Sequence, residues 1–186
     1  MSHFLTTDLP LAPLKRVERK HIMDERGHFQ RMFCADELHG AGWIGPVAQI
    51  NHSYSAKKGT VRGFHFQNPP HAEMKLVSCI SGEVWDVAID IRKGSKTFLH
   101  WHAERLSAEN CGALLIPEGF AHGFQTLTDN VELLYCHSSP YSAASESGLH
   151  PMDPMLAVAW PLPVTQISQR DAARKMLDRN FAGVAP

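Results

Sequence analysis

The chain has 186 residues, 44% of them hydrophobic and 20% charged, which is enough for one domain with a sizeable core and no covalent staples. Eighteen Lys and Arg stand against nineteen Asp and Glu, a formal charge of −1, which argues against a duplex nucleic-acid binder and against a polybasic membrane-surface protein. No apolar run approaches the roughly 20 residues that span a bilayer, the N-terminus lacks a signal-peptide core and four cysteines stand without a CxxC pair, so the expectation is a reduced cytoplasmic protein.

In chain order, residues 1–20 read as an N-terminal extension or edge strand, and 36–43 (DELHGAGW) as one or two helical turns. Short apolar or alternating windows follow at 47–50, 75–80, 83–91, 98–101, 113–116 and 132–135. Turn formers separate them, among them Lys58-Gly59, Asn68-Pro69-Pro70, Ser81-Gly82 and Asp129-Asn130. Within 83–91, Trp85, Val87, Ile89 and Ile91 share one parity, while Asp86 and Asp90 share the other. The stretch 138–154 reads as an ordered surface loop. The tail 167–181 reads as the best helix, with Ser168 as its cap and Asp171 in its first turn. Strands at this spacing predict a single all-β domain over 1–186, a sandwich or barrel with short helical segments.

Twelve histidines in a nearly neutral chain supply either metal ligands or acid-base groups. Two of them lie in fragments that resemble the halves of a cupin motif. GTVRGFHFQNPPHAE (59–73) carries His65, with Gln67 on the same strand face, and IPEGFAH (116–122) uses a Pro-x-Gly turn to present His122. The resemblance implies a cupin-type jelly-roll barrel, a double-stranded β-helix. Gln67 stands where a second His ligand is usual, and the Lys75 ammonium projects close by, so no metal is expected. A metal-dependent cupin oxygenase or isomerase using His65, Glu73 and His122 is the competing reading of another class. A cupin that binds sugar nucleotides without turning them over is the non-enzymatic one.

Further segments carry a more specific resemblance: DERG (24–27), VRGFHFQ (61–67), KLV (75–77), GEVWDV (82–87), IPEGFAHGF (116–124), Asp153-Pro154 and Trp160-Pro161. Together, from about residue 17 to 171, they resemble the dTDP-4-dehydrorhamnose 3,5-epimerase family. The resemblance implies a cofactor-free homodimer that epimerises C3 and C5 of a nucleoside-diphospho-4-keto-6-deoxyhexose through an enolate. It implies His65 as base, Asp171 as its orienting partner, Lys75 at the developing oxyanion and Tyr135 as the acid on the opposite face. His122 and Asp86 match a second polar pair that positions substrate. Arg26 and Arg62 match a diphosphate clamp. Gln49 and Asn51 match hydrogen-bonding partners of the ligand, Tyr141 a ring that stacks on the base, Glu146 a neighbouring carboxylate, and Arg170 a cation before the dyad Asp. The family's exchanged N-terminal strands would fit 13–21.

Each residue also has a plain structural reading. Asp171 would support a helix N-terminus, Arg26 and Arg62 would be surface ion pairs, Lys75 would mark a solvated edge, and Tyr135 and Tyr141 would be barrel-wall aromatics. The chain also departs from the family pattern. After ERG, His28 replaces an aromatic and Arg31 replaces a nucleotide-contacting glutamate. Cys136-His137 replaces a Lys-containing pair, and Pro140 an aromatic before Tyr141. These changes leave the base open between thymine, cytosine and another. They also leave open whether one carbon or both are epimerised.

Overall fold

The computed structural model describes residues 2–185. Fourteen strands and two single-turn helices follow one another. The N-terminal part holds β1 (Phe4–Asp8), β2 (Lys15–Arg19), the hairpin β3 (Ile22–Asp24) and β4 (Gly27–Phe29), and α1 (Ala35–His39). The central part holds β5 (Gln49–Ser55), β6 (Thr60–Gln67), β7 (Lys75–Ser81), β8 (Glu83–Asp90), β9 (Trp101–Ser107), β10 (Gly112–Ile116), β11 (Phe120–Thr126) and β12 (Val131–His137). The C-terminal part adds β13 (Glu146–Gly148), β14 (Gln166–Ile167) and α2 (Gln169–Ala172).

One sheet runs β1-β2-β10-β7-β12-β5 and the other β13-β6-β11-β8-β9, with β14 added beside β6. Nearly all neighbours are antiparallel and many are far apart in sequence, as a jelly roll requires. The fold is a cupin-type jelly roll. The central strands of both sheets are buried on two faces. Val77, Cys79, Leu133, Val84, Ala88 and Phe124 fill the space between them. Leu76, Ala113, Leu115 and Cys136 point out of the first sheet and are covered by Leu38 and Trp43 around α1. Phe64, Val87, Ile89 and Ile91 point out of the second sheet, under Leu149, Leu156 and Val184. The alternation in 83–91 therefore separates two buried faces: Val87, Ile89 and Ile91 pack outside, while Asp86 turns inward.

Several sequence expectations are corrected. The window at 98–101 is not a strand; Leu99 has φ +61°, and pairing begins at Trp101. The window at 47–50 is the start of a longer strand held along its whole length by β12. Only β1 of residues 1–20 is an edge, because β2 lies between β1 and β10 within the same chain. Within the single chain, Lys15–Arg19 of the segment that fits the family's exchanged strands pair with β1 and β10. The tail helix is confined to Gln169–Ala172, with Ser168 Oγ accepting from the Asp171 N–H at 3.0 Å as its cap. Beyond it, Leu177, Phe181 and Val184 dock one by one on the outer sheet face, and Val184 bridges to Arg92. That burial outweighs the modest helical preference of an isolated tail. No helix among the described residues is long and apolar enough to cross a membrane.

Candidate active site

Between the sheets lies a cavity of about 480 Å³, lined by both walls of the barrel. Strand register sets its contents. Gln49, His137 and Lys75 are direct partners across β5, β12 and β7, with Asn51, Tyr135 and Val77 in the next inward row. On the opposite wall, His65 of β6 is the direct partner of His122 of β11. Three residues apart, Arg62 and His65 would fall on opposite faces of a regular strand. A bulge between His122 and Phe124 shifts the register, and both line the cavity. The bulge is crowded: Gly63 has φ +128°, and a Cβ there would lie 2.5 Å from Gly123 Cα. Only glycine fits that crossing.

His65 Nε2 lies 2.7 Å from Asp171 Oδ1. Asp171 is buried and also faces the Gly63 N–H through Oδ2 at 3.4 Å. Burial works to raise its pKa, but the hydrogen bonds from His65, Ser168 and Gly63 hold the carboxyl below the usual range. Lys75 Nζ donates to the His65 carbonyl at 3.3 Å and pairs with Glu73 Oε1 at 3.1 Å. Lys75 is buried, so its reading as a solvated edge is set aside. Tyr135 projects from the other sheet, its hydroxyl 3.0 Å from Ser53 Oγ, and burial raises its pKa above that of an ordinary phenol. His122 Nε2 lies 2.8 Å from Asp86 Oδ1, and its ring meets the Tyr135 ring edge-on with centroids 6.1 Å apart. Burial raises the Asp86 carboxyl above its usual value, against the opposing pull of His122.

The mouth of the cavity is a chain of polar groups. Tyr141 donates its hydroxyl to Glu146 Oε2 at 2.8 Å and its N–H to Gln49 Oε1 at 3.0 Å. Arg170 pairs with the other Glu146 oxygen. Gln67 holds the Tyr141 loop by donating to Pro140 O at 3.2 Å and accepting from the Ser142 N–H at 2.6 Å. Arg62 is held by Ser55 Oγ at 3.0 Å and the Tyr54 carbonyl at 2.8 Å.

Arg26 is the exception. It sits on the exposed β3–β4 hairpin, paired with Asp24, and does not line the cavity. The two arginines expected to clamp a diphosphate are therefore not brought together within one chain. Among the described residues the hairpin's strands pair only with each other. The departures from the family pattern also take definite places. Arg31 is tied to Glu37 at 2.6 Å and to the His3 ring, and His28 stacks on His21 at 4.4 Å. His137 faces the cavity.

Three further residues line the cavity. Ser53 shares the parity of Gln49 and Asn51, so its inward position is legible in the sequence. Glu73 reads from sequence only as a metal ligand; here its oxygens face Lys75 and His137, turned to an ammonium and a ring N–H. His137 reads from sequence only as a departure from the family pattern. Among the described residues, no three His, Cys, Asp or Glu side chains converge as a metal site.

Comparisons with known proteins place the chain in a family. The family model described as dTDP-4-dehydrorhamnose 3,5-epimerase matches residues 8–179. A dTDP-4-dehydrorhamnose 3,5-epimerase from Salmonella typhimurium is 45% identical over 167 residues, covering 88% of this chain and 90% of that one. A dTDP-4-dehydrorhamnose 3-epimerase from Streptomyces niveus is 38% identical over 165 residues, covering 88% and 79%. The crystal structure of a dTDP-6-deoxy-D-glucose-3,5-epimerase from Legionella pneumophila, in complex with dTDP-4-keto-L-rhamnose, superposes with a TM-score of 0.91. It is 39% identical and covers 99% of this chain and 100% of that one. With most of its length matched by model, relatives and structure alike, the chain belongs to the dTDP-4-dehydrorhamnose 3,5-epimerase family.

Proposed function

We propose that the protein is an isomerase that epimerises C3 and C5 of a dTDP-linked 4-keto-6-deoxyhexose, converting dTDP-4-dehydro-6-deoxy-D-glucose to dTDP-4-dehydro-L-rhamnose. The observation that carries this reading is the division of acid and base between two walls. His65 belongs to one sheet, with Asp171 behind it on α2, and Tyr135 to the other, from which Lys75 reaches across to the His65 carbonyl. Epimerisation needs this: a proton leaves one face of a carbon and another arrives at the opposite face.

The 4-ketone makes the hydrogens on C3 and C5 acidic, so the substrate supplies its own electron sink. Neutral His65 takes the proton, and the C–H electrons move into the ketone to form an enolate. Asp171 stabilises the imidazolium, and Lys75 faces the developing oxyanion. Tyr135, kept protonated by its raised pKa, delivers a proton from the other side. Arg62, Gln49, Asn51, Tyr141, Glu146 and Arg170 hold the nucleotide, with His122 and Asp86 placing the sugar. The Streptomyces niveus relative is named a 3-epimerase, so a one-carbon reaction is the second reading. A different nucleotide, such as a CDP-sugar, is the variant that a binding screen across dTDP, CDP, UDP and GDP separates.

The working form is a homodimer on this reading. Ile22, Met23 and Phe29 stand exposed on the β3–β4 hairpin, and Ile50 and Tyr54 are exposed on β5, an open sheet edge beside the cavity. Pairing the hairpin with the partner's β5 would cover both and carry Arg26 toward a site that its own barrel does not offer it.

The test is incubation with dTDP-4-keto-6-deoxyglucose in heavy water. Deuterium at both C3 and C5 is the expected result. Deuterium at one carbon assigns the restricted reaction, and deuterium at neither refutes dTDP-4-keto-6-deoxyglucose as the substrate.

A further inference from the structure

His137 lies at the centre of a relay whose bond directions can all be assigned. The Tyr141 backbone N–H can only donate, so the Gln49 atom 3.0 Å away is its carbonyl oxygen. The Gln49 amide nitrogen then donates to Asn51 Oδ1 at 3.1 Å. This turns Asn51 Nδ2, a donor, toward His137 Nε2 at 3.3 Å. That ring nitrogen must accept, so the ring proton sits on Nδ1, which donates to Glu73 Oε2 at 2.8 Å. Glu73 Oε1 pairs with Lys75. One backbone donor thereby orders two amides, a tautomer and an ion pair.

The relay follows from register. Gln49, His137 and Lys75 are direct cross-strand partners on three adjacent strands, one row across the cavity wall. The side chains of His137, Glu73 and Lys75 are all less than one-tenth exposed. Burial works to raise the Glu73 pKa, but its two partners, His137 and Lys75, together outweigh it and hold the carboxyl below its usual range. A doubly protonated ring would set Nε2–H against the Asn51 amide donor and reverse both amides, at the expense of the Tyr141 bond.

We propose that His137 is a positioning residue, donating through Nδ1 and accepting at Nε2, which links the amides that meet the nucleotide to the Glu73–Lys75 pair that meets the sugar ketone. This rests on reading the cavity as the substrate site. One end of the ring orients Asn51 and Gln49; the other orients the carboxylate that sets where the Lys75 ammonium stands. The imidazole is specified by geometry, because it must accept at one nitrogen and donate at the other across two strands.

Two substitutions separate the ends. His137→Asn keeps a donor near the Nδ1 position and loses the Nε2 acceptor, so KM should rise about 3–10-fold with kcat nearly unchanged. His137→Gln places an acceptor near the Nε2 position and loses the bond to Glu73, so kcat should fall about 10-fold or more with KM nearly unchanged. A merely structural residue would shift both constants together in both variants, and that result would overturn the proposal, as would the absence of any change. Nitrogen-15 spectra of labelled histidine in the ligand-free wild-type protein, assigned by the signal missing in His137→Gln, read the tautomer directly. A protonated Nδ1 and a bare Nε2 are expected; a proton on Nε2 refutes the assignment. The spectrum needs no turnover, so it decides the relay even if the epimerase reading fails.

Discussion

His65 and Asp171 stand 106 positions apart in the chain, yet their side chains meet at 2.7 Å. The contact joins the bulged centre of β6 to the one helical turn of the C-terminal tail. It makes the short helix more than a terminus: the Ser168 cap fixes the turn, and the turn fixes the carboxylate behind the ring. Replacing His65 by Asn should abolish deuterium exchange at both carbons, since one base serves both. Asp171→Asn should retain the fold and lower kcat by about 10²–10⁴. Rapid exchange in the His65 variant would move the base elsewhere.

Tyr135 and Ser53 form the opposite pole. Tyr135→Phe should lower turnover by about 10²–10⁴ with KM little changed, because only the returning proton is lost. Ser53→Ala should lower it by less than Tyr135→Phe, as the phenol remains but is no longer oriented. Steady-state kinetics on both variants, with circular dichroism as a check on folding, reads the comparison. Equal losses would mean that the serine does more than hold the ring.

If Arg26 serves the partner's cavity, two inactive proteins should complement each other. A mixture of Arg26→Glu and His65→Asn, unfolded and refolded together, should recover roughly a quarter of wild-type sites. Half the dimers are mixed, and each of those has one intact site. No recovery from a mixture that forms dimers by light scattering would place Arg26 outside the reaction.

Acid should destabilise the fold through Glu73. Its carboxyl titrates below the usual range in the folded protein. Its ionised form therefore contributes stability fully above the unfolded value of about 4.3, and that contribution is lost as pH falls through the folded value. Glu73→Gln should flatten the acid limb of a Tm-versus-pH curve between about pH 5 and 3, where each kcal/mol corresponds to about 2–4 °C. Asp86, raised by burial, has the opposite sign, and comparing wild type with the single variant cancels it. Superimposable curves would show that the pair contributes nothing.

Leu133 is fully buried among the residues that close the apolar end of the barrel. Leu133→Ala should cost about 2–5 kcal/mol in chemical denaturation. KM should stay close to wild type, because Leu133 does not itself line the cavity.

The all-β class, most strand positions and the inward direction of His65 and Gln67 were legible because period-two alternation and turn residues are local signals. The cap at Ser168 was legible for the same reason. The length of the tail helix was not, since its apolar residues find better burial laid along the outer sheet. Arg26 illustrates another boundary: a motif names the residue type, but the position of an exposed hairpin depends on what it packs against. Arg62 and His65 lie on one face only because of a bulge at the Gly63–Gly123 crossing, which simple parity forbids.

By itself, the sequence determined the barrel, the chemical types available to the site and the two histidines, His65 and His122, to which twelve were narrowed. Tertiary structure decided which of them act with which partner. His65 has Asp171, His122 has Asp86, and His137, at first only a departure from a pattern, has Glu73 and Asn51. Strand alternation says which way a side chain points. Only the register between strands far apart in the chain says what it meets there.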